Sequence, residues 1–187
     1  MKRIIKNIIS VIWTFFRLLF VKLICGSSLS YYFIERISPN VDIDINRGAK
    51  VFFGKKIRIH SGCKIKVRKG AQLEIRDGAK MNNNCIVACR DKIVIGAGTE
   101  FGPSVFLYDH DHIHSYETGK NDGYNTEPII IGKNCWIGAN TVILKGARLG
   151  DNCVIAAGSV VMGEVPEGAV FVQKRTATII LENNKSN

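Results

Sequence analysis

The stretch from Ile131 to Pro166 reads Ile131-Gly-Lys-Asn-Cys135-Trp, Ile137-Gly-Ala-Asn-Thr141-Val, Ile143-Leu-Lys-Gly-Ala147-Arg, Leu149-Gly-Asp-Asn-Cys153-Val, Ile155-Ala-Ala-Gly-Ser159-Val and Val161-Met-Gly-Glu-Val165-Pro. Each unit of six opens with a branched aliphatic residue and carries a small or β-branched residue four positions later. A period of six is neither the helical 3.6 nor the strand's two. It fits a solenoid of short parallel strands, one flat side and one turn per unit. The opening residue then points inward and stacks on its equivalent about 4.8 Å away in the next coil. The fifth residue is small because the chain bends there and the interior narrows.

Working outward, Ile95-Gly-Ala-Gly-Thr99-Glu and Phe101-Gly-Pro-Ser-Val105-Phe keep the same period. Earlier copies are looser. Ile57 to Ile65, Ile65 to Leu73 and Leu73 to Met81 share one template at a spacing of eight, and Ile43 to Val51 is an earlier version. Aliphatic residues alternating with Lys, Arg or Glu predict strands with one buried and one wet face. Lys64, Lys66, Arg68, Lys69 and Arg76 make that wet face basic, which reads as a solvated edge that resists strand-to-strand aggregation.

Composition sets the outer limits. A chain of 187 residues suits one principal domain, and its formal net charge is +10. Such a balance admits nucleic acid, an anionic membrane surface or acidic substrates as partners. With no aromatic interleaving and no helix-turn-helix pattern, nucleic acid is not expected. Six scattered cysteines do not form a disulfide framework. Cys63, Cys135 and Cys153 fall on the small position of repeats, where packing explains them. Cys85 and Cys89 lack a second pair at zinc-binding spacing. Reduced thiols in a cytoplasmic protein are expected.

Residues 1–40 are read as an amino-terminal helix with a polar linker from Gly26, residues 41–172 as the β-helix, and 173–187 as a tail. From Arg3 to Cys25 the polar residues Arg3, Lys6, Asn7, Ser10, Thr14 and Arg17 recur at spacings of three and four, forming one stripe of an amphipathic helix. Arg17 and Lys22 interrupt what would otherwise be a membrane span. Two readings stay open. The helix caps the solenoid or mediates oligomer contacts, or residues 1–25 lie at the inner face of the cytoplasmic membrane with the basic stripe near anionic headgroups.

From 108 to 128 the repeat stops in a protruding loop, Tyr108-Asp-His-Asp-His-Ile-His-Ser115 onward to Thr126-Glu-Pro128. His110, His112 and His114 alternate there with Asp109 and Asp111. Histidine titrates near neutrality, and a neighbouring carboxylate can fix its tautomer, so one imidazole suits general-base chemistry. Imidazoles at alternate positions of an extended segment also suit a metal. A plain surface loop is the third option.

The hexads together with the Asp-His-Asp-His loop resemble the hexapeptide-repeat acyltransferases, near the maltose, galactoside and polysaccharide O-acetyltransferases. The similarity covers roughly residues 82 to 166 and is most specific over Gly132–Ile143 and Leu149–Val161. It implies an all-β, left-handed parallel β-helix assembled as a homotrimer, with acetyl-CoA as acyl donor in a slot between subunits and no metal. Residue by residue, the family's catalytic histidine falls on His112, with His110 as the fallback. The acceptor-binding asparagine falls on Asn84, with Asp109 and Asp111 beside the acceptor. Cofactor positions fall on Trp136, Gly138, Ala139, Ala157 and Gly158, with Lys174 and Arg175 near the nucleotide phosphates. The chain departs from the pattern where the family's lysine becomes Gly163 and the usual ending becomes Val172-Gln-Lys-Arg-Thr-Ala177. The expected activity is O-acetylation of a carbohydrate hydroxyl, in surface polysaccharide or lipid-linked glycan synthesis. A metal-dependent carbonic anhydrase-type enzyme and a non-catalytic scaffold are the alternatives.

Overall fold

Ile137 pairs in register with Phe101 on one side and Ile155 on the other, Ile143 with Leu107 and Val161, and Ile131 with Ile95 and Leu149. All these pairings are parallel, and they define the architecture. The computed structural model describes residues 2–32, 35–114 and 121–174. Among them the chain winds into a three-faced β-helix. Face A runs from Leu29–Tyr31 to Glu164–Val165, face B from Arg36–Ile37 to Val170–Phe171, and face C from Asp42–Ile45 to Val160–Val161. That makes six complete coils and two further sides. A six-residue side fits a left-handed coil.

Both marked positions of each hexad point inward. The openers Ile131, Ile137, Ile143, Leu149, Ile155 and Val161 are buried, as are Cys135, Thr141, Ala147, Cys153 and Ser159. The polar members of the column are satisfied. Thr99 Oγ1 donates to the Gly132 carbonyl at 2.8 Å and accepts from the Cys135 N–H at 3.1 Å. All six cysteines are buried and free, as packing residues would be.

The spacing of eight has a simple origin. Ile43 pairs with Ile65 and Ile65 with Val87, so each early coil takes 22 residues, whereas Ile137 to Ile155 takes 18. After the first, the early strands on face A, such as Gln72–Ile75, are four residues long and turn two side chains inward, here Leu73 and Ile75. Face B keeps short strands, such as Lys80–Met81. The sixth hexad does not follow the expected pattern. Val165 pairs with Leu149, so it opens the next side instead of filling the small fifth position. Gly163, at φ 71°, makes the tightened corner in a left-handed conformation that glycine adopts freely.

The expected linker is also different. Leu29–Tyr31 and Arg36–Ile37 are the first two sides of the solenoid, and Leu29 and Ile37 are core residues. Their spacing escapes the hexad template, but their pairing with Val51 and Ile59 does not depend on it. The β-helix therefore begins at Leu29, not at residue 41.

The helix Lys2–Cys25 packs chiefly against the three strands of this first coil, so it lies across the open end of the solenoid. Among the described side chains of its polar stripe, Thr14 and Arg17 turn inward to the first coil, so these two do not meet headgroups. Alternate backbone groups of a terminal strand point away from the sheet and need partners. Thr14 Oγ1 accepts from the Ile37 N–H at 2.9 Å and lies 3.1 Å from the Ile37 carbonyl. The Arg17 guanidinium donates to the carbonyls of Ser38, at 3.0 Å, and Val41. Burial lowers the Arg17 pKa from its ordinary value, against the pull of Asp42. The side chains of Arg3, Lys6 and Asn7 lie outside the described ones. At the far end, Gln173 Oε1 accepts from the Val160 N–H at 2.8 Å.

Glu35 is buried beside the first coil. Its Oε1 accepts from the Tyr32 N–H at 3.1 Å, its Oε2 finds no partner among the described residues, and burial raises its pKa from 4.5 to about 7. The folded value lies above the unfolded one, so stability from this site is complete below the unfolded pKa and lost as pH rises through the folded one. Urea midpoints should therefore fall between pH 4.5 and 7 on account of this site. Glu35→Gln should flatten that slope and raise the midpoint at pH 8. Thr14→Val, which keeps the shape but orphans the Ile37 backbone, should cost about 1–3 kcal/mol in the same assay.

Candidate active site at the hairpin corner

Face C hands over to face A at a corner occupied in the third coil by Arg90 and Asp91. In the fourth coil the chain leaves this corner after Phe106–Tyr108 and returns at Ile129–Ile131. The excursion is a β-hairpin. Strands His110–His114 and Asn121–Thr126 run antiparallel, with His110 opposite Thr126 and His112 opposite Tyr124. Alternation puts His110 and His112 on one side of the hairpin and Asp111 on the other.

Asp109 anchors the departure point. Its carboxylate is fully buried and accepts from the N–H groups of Arg90, at 2.9 Å, and Asp91, at 2.8 Å. Its Oδ1 also lies 2.9 Å from His110 Nδ1. A carboxylate can only accept, so Nδ1 carries the proton and donates, and Nε2 keeps a free lone pair. A group so enclosed does not meet an acceptor sugar, so Asp109 is an orienting residue and not the substrate contact expected of it. Beneath it, burial and then the Asp109 carboxylate push the Cys89 thiol well up.

Asp111, on the outer side, pairs with Lys145 at 3.6 Å, and Glu127 pairs with the same lysine at 3.4 Å. Lys145 of the fifth coil thus meets one strand of the hairpin at Asp111 and the returning chain at Glu127. On the inner side, the Tyr124 ring lies 5.3 Å from His110 and 4.7 Å from His112, centroid to centroid. The Arg90 guanidinium carbon sits 3.3 Å from the same ring's centre. Tyr124 and Arg90 are residues that the sequence reading missed. Only the hairpin register, which sets Tyr124 opposite His112, picks them out. His112 is exposed, whereas His110 lines a small cleft with Lys66, Arg68, Ala88, Cys89 and Arg90. Two residues of the basic run thus wall the site, although Arg68 also pairs with Asp44 at 2.7 Å. The His114 side chain lies outside the described ones. Among the described residues no group of three or more His, Cys, Asp or Glu is arranged to hold a metal ion.

The remaining candidates sit on another edge, where face B meets face C. Gly158 N–H donates to the Ala139 carbonyl at 2.7 Å, Asn140 N–H to Pro103 at 3.0 Å, Ser104 N–H to Asn83 at 2.9 Å, and Asn84 N–H to Ser61 at 3.0 Å. This ladder aligns Ala139, Ala157 and Gly158 with Asn84 along one corner. Asn84 has φ 61°, so the turn by itself accounts for an asparagine there. Gly138 has a packing reason too, because a Cβ would lie 2.4 Å from the Ala157 nitrogen. Trp136 projects outward from face B and is half exposed. Lys174 is exposed beyond the last strand, and Arg175 lies outside the described residues. From Asn84 to Arg90 the chain crosses all of face C, about 20 Å at about 3.3 Å per residue. One chain therefore does not bring Asn84 to the histidines.

Residues 128–162 match the model of the hexapeptide repeat of succinyl-transferase. Galactoside O-acetyltransferase from Escherichia coli is 37% identical over 89 residues, covering 48% of this chain and 45% of that one. The chain thus spans about half the length of the curated relatives it matches. Among solved structures, a maltose O-acetyltransferase from Clostridium difficile is 30% identical over 63% of this chain and 62% of its own, with a TM-score of 0.58. An N-acyltransferase from Bacillus cereus shares the fold over 88% of this chain and 89% of its own, at 17% identity and a TM-score of 0.68.

The Asp109–His110 geometry is testable without a substrate. In the parent protein, ¹⁵N shifts of the His110 ring should report a protonated Nδ1. Asp109→Asn presents an amide N–H to that nitrogen and should reverse the tautomer. Unchanged shifts in the variant would show that Asp109 does not orient the ring.

Proposed function

The β-helix belongs to the hexapeptide-repeat acyltransferase family, and from that premise we propose that this protein transfers the acetyl group of acetyl-CoA to a carbohydrate hydroxyl. The observation that carries the reading is the pair formed by buried Asp109 and His110 at the excursion from the solenoid. Galactoside and maltose O-acetyltransferases among its relatives support the substrate class. Surface polysaccharide or lipid-linked glycan is the setting we assign to it.

The chemistry needs a base because an alcohol is too weakly acidic to attack a thioester unaided at neutral pH. With Nδ1 held by Asp109, His110 Nε2 accepts the hydroxyl proton while the oxygen attacks the thioester carbonyl. Collapse of the tetrahedral intermediate expels the CoA thiolate, which takes up the proton. Such a base contributes about 10²- to 10⁴-fold. The family resemblance selects His112, two residues along, whereas the carboxylate partner favours His110. Tyr124 and Arg90 keep both rings in place from one side.

The acyl donor fits the edge of small residues at Ala139, Ala157 and Gly158, where the backbone is approachable, with Trp136 beside it on face B. That edge and the hairpin lie at opposite margins of face C, so a site using both takes one margin from each of two copies. Outward residues support such packing. Val160 and Met162 on face C and Trp136, Val154 and Val170 on face B are exposed hydrophobics. A homotrimer is the assembly this supports, with three equivalent sites between subunits.

Acetyl-CoA titration into the full-length protein comes first, and absence of binding at millimolar donor would end the acetyltransferase reading. Thiol release with a panel of sugars should then fall about 10²- to 10⁴-fold in kcat for His110→Ala, with donor KM little changed. The same loss in His112→Ala alone would move the base two residues along. Asn84→Ala and His110→Ala subunits, each inactive alone, should regain part of the activity when co-assembled. No recovery would mean that both groups serve from one chain.

A further inference from the structure

Among the described residues, the outward face of the amino-terminal helix is left uncovered by the solenoid. Ile8, Ile9, Ile12, Trp13, Phe16, Leu19, Phe20, Leu23 and Ile24 are all exposed, while Thr14, Leu18 and Cys25 face the first coil. At 100° per residue the nine cover an arc of about 160°, and between Ile8 and Ile24 no polar residue falls inside it. A seam against one partner helix needs a narrower stripe. The charge of the chain is also polarised. Residues 1–80 hold 17 Lys and Arg against 5 Asp and Glu, and residues 81–187 hold 9 against 11. Since coils stack in sequence order, the helix end of the solenoid is the basic end.

We propose that the β-helix stands end-on upon an anionic phospholipid surface, with this helix lying in the interface and its apolar face in the acyl boundary. A helix lying in that plane buries an apolar face about 5–10 Å deep, and basic groups around it meet the headgroups. Ile8–Ser28 is long and apolar enough to span a bilayer by composition. Spanning would strip Thr14 and Arg17 from Ile37, Ser38 and Val41 and carry the Arg17 charge into hydrocarbon, which is costly. Lying flat keeps every one of those bonds. It also fixes the orientation. The hairpin leaves the fourth coil, three coils or about 15 Å above the first, so the candidate site faces sideways at a set height over the headgroups. The docking surface does not rest on the acetyltransferase reading.

The test is co-sedimentation of the full-length protein with vesicles of phosphatidylcholine alone or mixed equally with phosphatidylglycerol. Binding to the mixed vesicles is expected, at least 10-fold weaker to the neutral ones, weakened by salt and released by alkaline carbonate. Phe16→Glu with Phe20→Glu should abolish it without changing the thermal midpoint or the oligomeric state, because both side chains point away from the solenoid. Four outcomes overturn the proposal. They are no binding to the mixed vesicles, equal binding to both, resistance to carbonate as a spanning helix shows, and dissociation of the oligomer by the double variant, which would assign the face to a second copy.

Discussion

Every coil of this molecule depends on the next to accept and supply its backbone hydrogen bonds. The ladder runs from Arg36 N–H to the Ile57 carbonyl, on through Arg58 to Ala79 and Lys80 to Thr99, and so to the end of face B. What the ladder demands is register between coils, not a fixed coil length. Coils of 22 and 18 residues therefore coexist, because surplus residues go into longer sides while the inward columns stay aligned. The same demand explains the two ends. A last strand with nothing beyond it exposes a row of unpaired groups that invites pairing with another chain. Thr14 and Arg17 close one end, and Gln173 meets part of the other.

The candidate site arises from a local default in this ladder. In the second coil the Arg68 N–H donates to the carbonyl of Cys89, one coil on. In the third coil the equivalent Arg90 N–H finds no such carbonyl, because the chain has left as a hairpin. The Asp109 carboxylate accepts in its place. A residue needed to finish the backbone bonding is thereby fixed and desolvated next to an imidazole. The fold and the chemistry share one side chain. That makes the geometry of His110 a consequence of how the excursion is sealed, and the pinning of the hairpin by Lys145 reinforces it from outside.

What could be read from the sequence follows the same division. Columns of inward residues leave a period, so Ile131 to Val161 announced both the solenoid and the burial of its cysteines. The break at Tyr108 announced the excursion. Contacts that depend on register between distant segments left no period. Nothing in the spacing of Tyr124 says that it faces His112, and nothing at Asp109 says that its partners are the amides of Arg90 and Asp91. The first two sides were read as a linker because their spacing does not follow the repeat template, although Leu29 and Ile37 are as buried as core residues elsewhere. The polar stripe of the helix was legible as a stripe. Its direction was not, because amphipathicity alone does not tell which face meets water. Here the unpaired carbonyls and amide of the first coil attract the polar side chains, and the apolar face is turned out.

That inversion has a further consequence for how function is laid out along the axis. In a three-faced prism the margins of one face are separated by the full length of its strands, in every coil alike. Small residues suited to an extended donor line one margin of face C, and the histidines stand at the other, about 20 Å away. No sliding of coils shortens this distance, because the ladder forbids it. On the proposed reading a single chain presents two half-sites. Joining them would take a second copy that brings its opposite margin alongside, and the exposed apolar residues on faces B and C are consistent with that approach. The helix end remains outside this arrangement, since a contact between faces leaves the ends of the prism free. Assembly around the long axis and docking through the end are thus compatible, each using surface that the other leaves open.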